Sequence, residues 1–251
     1  MLGKSVFPLI FAWTLVLLPV FGQDADTAGE PPRWGGDVSL GLSLARGNTR
    51  SSSLSFTFSA AGPVNRTKTI TLSNKGIYLF GEIDGETNSE NIFLAGRLDW
   101  KLSERFFTFF EVQAARDRFK NYASRILPAV GAGYKVFDGE KVAFGIDVGL
   151  TRILTRYYDS KLIGAETALK FGERLVWKVG EASEFNQVVE IVPEFGFPGR
   201  YSLRLEANLV APLDGLWAVK LTVIDAYNSR PVGPGIRKND MAFIASMSRS
   251  F

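Results

Sequence analysis

The chain has 251 residues, with 29 lysines and arginines against 26 aspartates and glutamates, a formal net charge of +3. It contains no cysteine and no histidine, which excludes disulfides, thiol nucleophiles, thiolate metal sites and a histidine general base. Charges of both signs are scattered along the chain, so no basic block predicts a nucleic-acid partner. We expect neither a cofactor nor a bound metal.

The N-terminal segment has the parts of a secretory signal. Lys4 precedes an apolar stretch at 6–21, and Gly22 follows before the polar run QDADTAGEPPR. A basic start, a short apolar core and a small residue at the boundary are typical of a cleaved signal peptide. Cleavage near Ala25 is an alternative, as is an uncleaved anchor, although two prolines interrupt a stretch already short for a membrane span. We therefore predict three segments: a signal peptide at 1–22, a flexible linker at 23–36 and a barrel at 37–251.

From residue 37 onward, apolar side chains recur at every second position. Residues 38–44 read VSLGLSL and residues 142–150 read VAFGIDVGL. Period two gives a strand one apolar and one polar face. About twelve such segments follow one another, each long enough to cross a bilayer at a tilt of about 45°. The sequence predicts an all-β, antiparallel transmembrane β-barrel in the bacterial outer membrane. In segment 69–81 the apolar parity shifts around Lys75 and Gly76, where we expect a bulge.

The connections between the predicted strands differ in length. Those after the even-numbered strands are short: GPVNRTK, LSERF, FDGEK, VGEAS and PLDG. Those after strands 3, 5 and 11 are longer and more polar: EIDGETNSE, DRFKNYASR and NSRPVGPGIRKN. Outer-membrane barrels have short periplasmic turns and longer external loops. The pattern, which is partial, places both termini on the periplasmic side.

The last strand has a distinctive ending. Met241, Phe243, Ala245, Met247 and Phe251 share one parity. An amphipathic strand that ends in phenylalanine resembles the terminal signal by which outer-membrane barrels are recognised for assembly. The resemblance implies that Phe251 is that signal and that the barrel assembly machinery is a partner.

Aromatic residues near the predicted strand ends are expected to form girdles at the two membrane surfaces. They are Trp100, Phe106, Phe110, Trp177, Trp217 and Tyr227.

Four stretches together resemble one bacterial family: WGGDVSLGLSLARGNTRSSSLSF, NIFLAGRLDWKLSERFFTFFEVQAARDRF, LPAVGAGYKVFD and the closing YNSRP…KNDMAFIASMSRSF. It is the family of domain of unknown function 481, also called salt-induced outer-membrane proteins. The resemblance runs from Trp34 to Phe251, and its most specific parts are the Gly47-Asn48-Thr49 turn and the Asp99–Phe106 segment. It implies an outer-membrane barrel. It supplies no reaction and no ligand, so no catalytic residue is carried over.

The polar face of the predicted strands carries charges of both signs. The candidate lumen charges are Arg97, Asp99, Glu111, Lys135, Asp147, Glu166, Lys170, Glu190, Arg204, Glu206 and Lys220. Small residues lie between them, among them Gly131, Gly133, Gly145 and Gly149. The charges can cross-link into a packed lumen; alternatively, the small residues leave a water-filled path whose charges select solutes. A barrel of this size favours the packed or narrow lumen.

Three functions follow as hypotheses. The first is a narrow channel for ions or small solutes, or a structural, stress-related envelope protein. The second is an interaction barrel that contacts lipopolysaccharide or envelope partners through basic residues near the external loops: Arg116, Arg118, Lys120, Arg125, Arg152 and Arg156. An outer-membrane enzyme is least favoured, because such mechanisms generally use a histidine base.

Overall fold

The computed structural model describes residues 34–45, 51–158, 163–180, 182–231 and 236–251. The predicted signal peptide, nearly all of the predicted linker and the Gly47-Asn48-Thr49 turn lie outside these residues. Within the described ranges, no helix is long and apolar enough to span a membrane.

Twelve strands form one closed antiparallel sheet. They are Gly35–Ala45 (β1), Ser51–Pro63 (β2), Ile70–Ile83 (β3), Glu86–Lys101 (β4), Phe106–Asp117 (β5), Tyr122–Asp138 (β6), Val142–Tyr157 (β7), Ile163–Val179 (β8), Ser183–Pro193 (β9), Tyr201–Asp214 (β10), Trp217–Asn228 (β11) and Asn239–Ser250 (β12). Each strand pairs with its neighbours in sequence, and β1 pairs with β12 to close the barrel. The predicted all-β barrel of twelve strands is confirmed. β1 begins at Gly35, two residues before the predicted start of the barrel.

The period-two pattern separates the two faces of the wall. Leu40, Ile146 and Leu150 lie exposed on the outside, whereas the adjacent Ser39 and Asp147 are buried in the lumen. An outer surface of apolar side chains is favourable in lipid, and a closed barrel satisfies every strand hydrogen bond there. The wall is therefore a membrane-facing surface.

Aromatic residues gather at the strand ends, as predicted for most of them. Four lie at the barrel end that carries the start of β1 and the end of β12: Trp100, Phe106, Trp177 and Trp217. At the other end, the Tyr227 and Tyr201 rings pack with their centroids 5.6 Å apart. Phe110 lies within the sheet, opposite Leu98 and Val130. Its assignment to a girdle was wrong, because β5 begins four residues earlier, at Phe106.

One predicted loop is instead a tight turn. β3 continues to Ile83 and β4 begins at Glu86, so only Asp84 and Gly85 connect them. Both have positive φ, 52° and 84°, as two-residue hairpin turns with Asp-Gly require. The long loop predicted from EIDGETNSE was wrong, since its polar residues extend the strands. The longest connection at the barrel end opposite the start of β1 and the end of β12 is 229–238, between β11 and β12. We call this end of the barrel the loop end.

The predicted bulge near Lys75 and Gly76 was also wrong. β3 pairs continuously with β2 throughout, and its register with β4 shifts only between Gly81 and Glu82. The apolar parity changes because Ile77 and Leu79 point into the lumen, where they join an apolar cluster. The shift in parity thus comes from apolar side chains in the lumen, and the backbone of β3 remains regular there.

The assigned faces can be tested at Leu150, which lies between Val130 and Leu169 on the outer wall. Leu150→Arg places a charge in lipid and should lower the free energy of unfolding by about 2–4 kcal/mol. Ile146→Arg is the matched control and should cost less, because Glu173 lies directly opposite and offers a counter-charge. Urea unfolding in phospholipid vesicles measures both, and a Leu150→Arg barrel as stable as the wild type would contradict the register.

The lumen as a candidate functional site

The candidate lumen charges take different positions in the barrel. Seven are buried on the inner face: Arg97, Glu111, Asp147, Lys170, Glu190, Glu206 and Lys220. The side chains of Asp99 and Arg204 are about a quarter exposed. Glu166 lies opposite Ile153 near the loop end of β8. Lys135 sits at the opposite rim, where its ammonium pairs with Asp138 at 2.8 Å and both side chains are well exposed.

Arg97 is one centre of the ionic contacts. Its guanidinium contacts the carboxylates of Asp99 at 2.8 Å, Glu111 at 3.1 Å and Asp147 at 3.2 Å. The ring of Phe109 lies beneath it, 3.9 Å from Cζ to the centroid. Asp147 also contacts Arg174 at 3.3 Å. Arg97 is on β4 and Asp147 on β7, so this contact spans two intervening strands.

Lys170 is a second centre. Its ammonium contacts Glu111 and, at 2.8 Å, Glu190. Gln113 Nε2 donates hydrogen bonds to both carboxylates, at 2.6 Å to Glu111 and 2.9 Å to Glu190. The two carboxylates are thereby separated by one cation and one amide, which a desolvated like-charged pair requires. We call Arg97, Asp99, Glu111, Gln113, Asp147, Lys170, Arg174 and Glu190 the central network.

Two further ion pairs join lumen side chains of strands that are not neighbours in the sheet. Lys75 of β3 contacts Glu206 of β10 at 2.9 Å, and Arg204 approaches the same carboxylate at 3.3 Å. Lys220 of β11 contacts Asp37 of β1 at 2.8 Å. Together with the central network these groups comprise six cations and six carboxylates. Ionised side chains can remain charged in a narrow interior when opposite charges are balanced and paired.

Aromatic rings occupy the space beside two of the lumen glycines. A Cβ on Gly133 would lie 2.2 Å from the Phe107 ring, and one on Gly131 would lie 2.7 Å from the Phe109 ring. Phe107 and Phe109 therefore point inward and occupy the space that the glycines open. At these two glycines the rings favour the packed lumen over the water-filled path.

Sequence reasoning missed both phenylalanines, as well as Lys75 and Gln113. In the run FFTFF at 106–110, apolar residues stand at both parities, so periodicity cannot assign a face. The glycines at the same parity of the next strand were the available signal, since an inward ring needs a neighbour without a side chain.

Apolar residues also line the lumen on the loop side of the central network. One cluster joins Ile77, Phe93, Ile224 and Ile244; the other joins Ile153, Ala168 and Val192. A cavity of about 150 Å³ lies in this part of the barrel. It is lined by Gln113 and Glu190 of the central network, by Phe93 and Val192, and by loop residues including Lys238. We call this cavity the vestibule.

Comparison with known proteins gives the family. The description "Protein of unknown function, DUF481" matches residues 38–251, the whole barrel apart from its first residues. The chain belongs to the DUF481 family. No curated protein matches it.

Several solved structures resemble the DUF481 barrel. The KdgM porin has 9% identity and a TM-score of 0.46, covering 86% of this chain and 99% of its own. The COG4313 outer membrane channel of Pseudomonas putida F1 has 12% identity and a TM-score of 0.47, covering 93% and 100%. The translocator domain of the autotransporter NalP of Neisseria meningitidis has 10% identity and a TM-score of 0.43, covering 90% of each chain.

Lys170 tests the central network. Lys170→Met leaves Glu111 and Glu190 buried without their shared cation, so the free energy of unfolding should fall by about 3–5 kcal/mol. Lys135→Met is the control and should cost less than about 1 kcal/mol, because its pair with Asp138 is exposed. Urea unfolding of both variants measures the difference, and equal costs would mean that the network adds no stability.

The contact between Gly133 and Phe107 can be tested by a double-mutant cycle. Gly133→Ala should destabilise the barrel by about 1–3 kcal/mol, because the added methyl collides with the ring. In a Phe107→Ala background the same change should cost much less, which the cycle reports as coupling. Gly145→Ala, whose Cβ would lie 3.5 Å from the nearest backbone oxygen, is the lumen control. Additive costs would contradict the inward ring.

Proposed function

We propose that this DUF481 protein is an outer-membrane channel of narrow bore for ions or small solutes. The observation that carries the proposal is the set of ion pairs that bridge the lumen between strands that are not neighbours. These contacts reduce the bore to the gaps between paired side chains, while the vestibule offers an entrance from the loop end. Export by a cleaved signal peptide and assembly guided by Phe251, which directly follows β12, belong to the same proposal.

Charge balance argues for a passage with small net selectivity. Since cations and carboxylates are equal in number along the bridged region, neither ion sign gains a large electrostatic advantage. Removal of one charge should therefore shift the selectivity in a direction set by its sign. Such a shift distinguishes a channel from a purely structural barrel, in which lumen charges serve stability alone.

Single-channel recording in planar bilayers tests the proposal. The refolded wild type should give small, stable conductance steps. Under a KCl gradient, Arg97→Gln should shift the reversal potential toward cation preference, and Glu190→Gln should shift it toward anion preference. Lys135→Gln, at the exposed rim, is the control and should shift it much less.

Each variant must first show the heat-dependent mobility of a folded barrel. A folded wild type that stays silent would overturn the channel and identify the DUF481 barrel as a structural envelope protein. If the channel conducts but neither substitution changes its reversal potential, the conducting path would lie away from the central network.

A further inference from the structure

Three arginines lie on the outer wall near the loop end, on β5 and β7. Arg116 is on β5 opposite Ile92, Arg152 is on β7 opposite Thr167, and Arg156 is on β7 opposite Ser124. All three are exposed. We call Arg116, Arg152 and Arg156 the outer arginine patch.

The other basic residues of this region have different positions. Arg125 lies with its guanidinium over the Tyr122 ring and lines the vestibule. Lys120 pairs with Asp117 and Asp240, and Arg118 approaches Glu90 at 3.8 Å. The six basic residues that the sequence grouped together are therefore divided by the fold, and only three form the patch.

The arginines of the patch make hydrogen bonds to neutral hydroxyls, and Glu90 acts on the Arg116 charge only from beyond ion-pair distance. Arg116 Nε donates to the Tyr158 hydroxyl at 2.6 Å, and Arg152 Nη1 donates to the Thr167 hydroxyl at 2.6 Å. In the described part of the chain, none of the three arginines is within ion-pair distance of a carboxylate, whereas the buried lumen cations are paired. A guanidinium has five donors, so most of those in the patch remain available to a ligand on the outer surface.

The surroundings of the patch specify the kind of ligand. Leu150 and Leu154 flank Arg152 on the same face of β7, and both are exposed to lipid. An arginine on a lipid-facing wall is costly unless its charge reaches the headgroup region or meets an anion. At the loop end of β10 to β12, the outward residues include Tyr201, Tyr227 and Met241, and the charged one among them is the acidic Asp225. Basic charge is thus concentrated on one side of the wall, which a general attraction to lipid does not require.

We propose that the outer arginine patch binds the phosphates of lipid A, the membrane anchor of lipopolysaccharide. The inference rests on the outer-membrane placement proposed above, in which the end opposite the termini meets the outer leaflet. β5 and β7 are separated by one strand, so Arg116 and Arg156 start about 10 Å apart. Long guanidinium side chains at this spacing suit a ligand that carries two phosphates, since guanidinium pairs with phosphate through two parallel hydrogen bonds.

Native mass spectrometry of the protein, purified as the cell processes it and stripped of lipid, provides the test. The probes are lipid A, lipid A with both phosphates removed, and phosphatidylglycerol. The wild type should bind lipid A about 10-fold or more tightly than either other lipid. The variant Arg116→Gln/Arg152→Gln/Arg156→Gln should lose that preference. The matched control is Arg66→Gln/Arg105→Gln/Arg249→Gln, which removes three exposed arginines near the opposite end and should keep it.

Three results would overturn the proposal. Equal binding of lipid A and its dephosphorylated form would show recognition of the acyl chains alone. Equal binding of phosphatidylglycerol would show a general attraction to anionic lipid, and an unchanged triple variant would show that the phosphates bind elsewhere. If the triple variant does not fold, Arg116→Gln alone should weaken binding several-fold, and no change would count against the patch. Lipid A binding is independent of conductance, so a silent barrel would leave this inference intact.

Discussion

The whole architecture depends on closure of the sheet between β1 and β12. This junction is short: its register begins with Asp37 opposite Ser250 and comprises four residue pairs, whereas β1 pairs with β2 along its entire length. Side chains reinforce it. The Asp37 carboxylate accepts hydrogen bonds from Ser248 of β12 at 3.3 Å and from Lys220 of β11 at 2.8 Å. In lipid an open edge would leave strand amides without partners, so the lumen carboxylate of Asp37 supports the wall as well as filling the interior.

Paired charges also determine the structure of the rest of the lumen. A twelve-stranded barrel is too wide for simple side-chain packing across its diameter and too narrow for bulk water throughout. Long charged side chains reach across it, and pairing removes most of the cost of their desolvation. Arg97 and Lys170 each bind more than one carboxylate, so the network is continuous. A continuous network resists local opening, yet it consists of groups that water and ions can also solvate. This is why a narrow passage and a rigid interior are compatible in one lumen.

Sequence periodicity predicted the wall well and the interior only in part. Alternation assigns a residue to a face, so the burial of Arg97, Glu111 and Lys170 followed from parity. It does not give neighbours across the lumen, since the Lys75–Glu206 contact joins residues 131 positions apart. Parity fails where both faces are apolar, as at Phe107 and Phe109. It also misleads where apolar side chains point inward, as at Ile77, which imitates a backbone bulge. Connections were least predictable, because the polar residues beside Asp84 extend β3 and β4 where a loop was predicted.

The exceptions to alternation have a common cause. Glu173 faces outward from β8, where Gln187 of β9 donates a hydrogen bond to its carboxylate at 3.1 Å, and Arg152 bonds Thr167 in the same way. Inside, Ile77 of β3 packs with Phe93 of β4. In each case the residue that breaks the pattern meets one of matching chemistry on the adjacent strand. Cross-strand neighbours on one face determine the energy of a side chain in a sheet, so exceptions occur in pairs. A side chain that breaks the alternation at these positions is therefore stabilised by its partner on the adjacent strand.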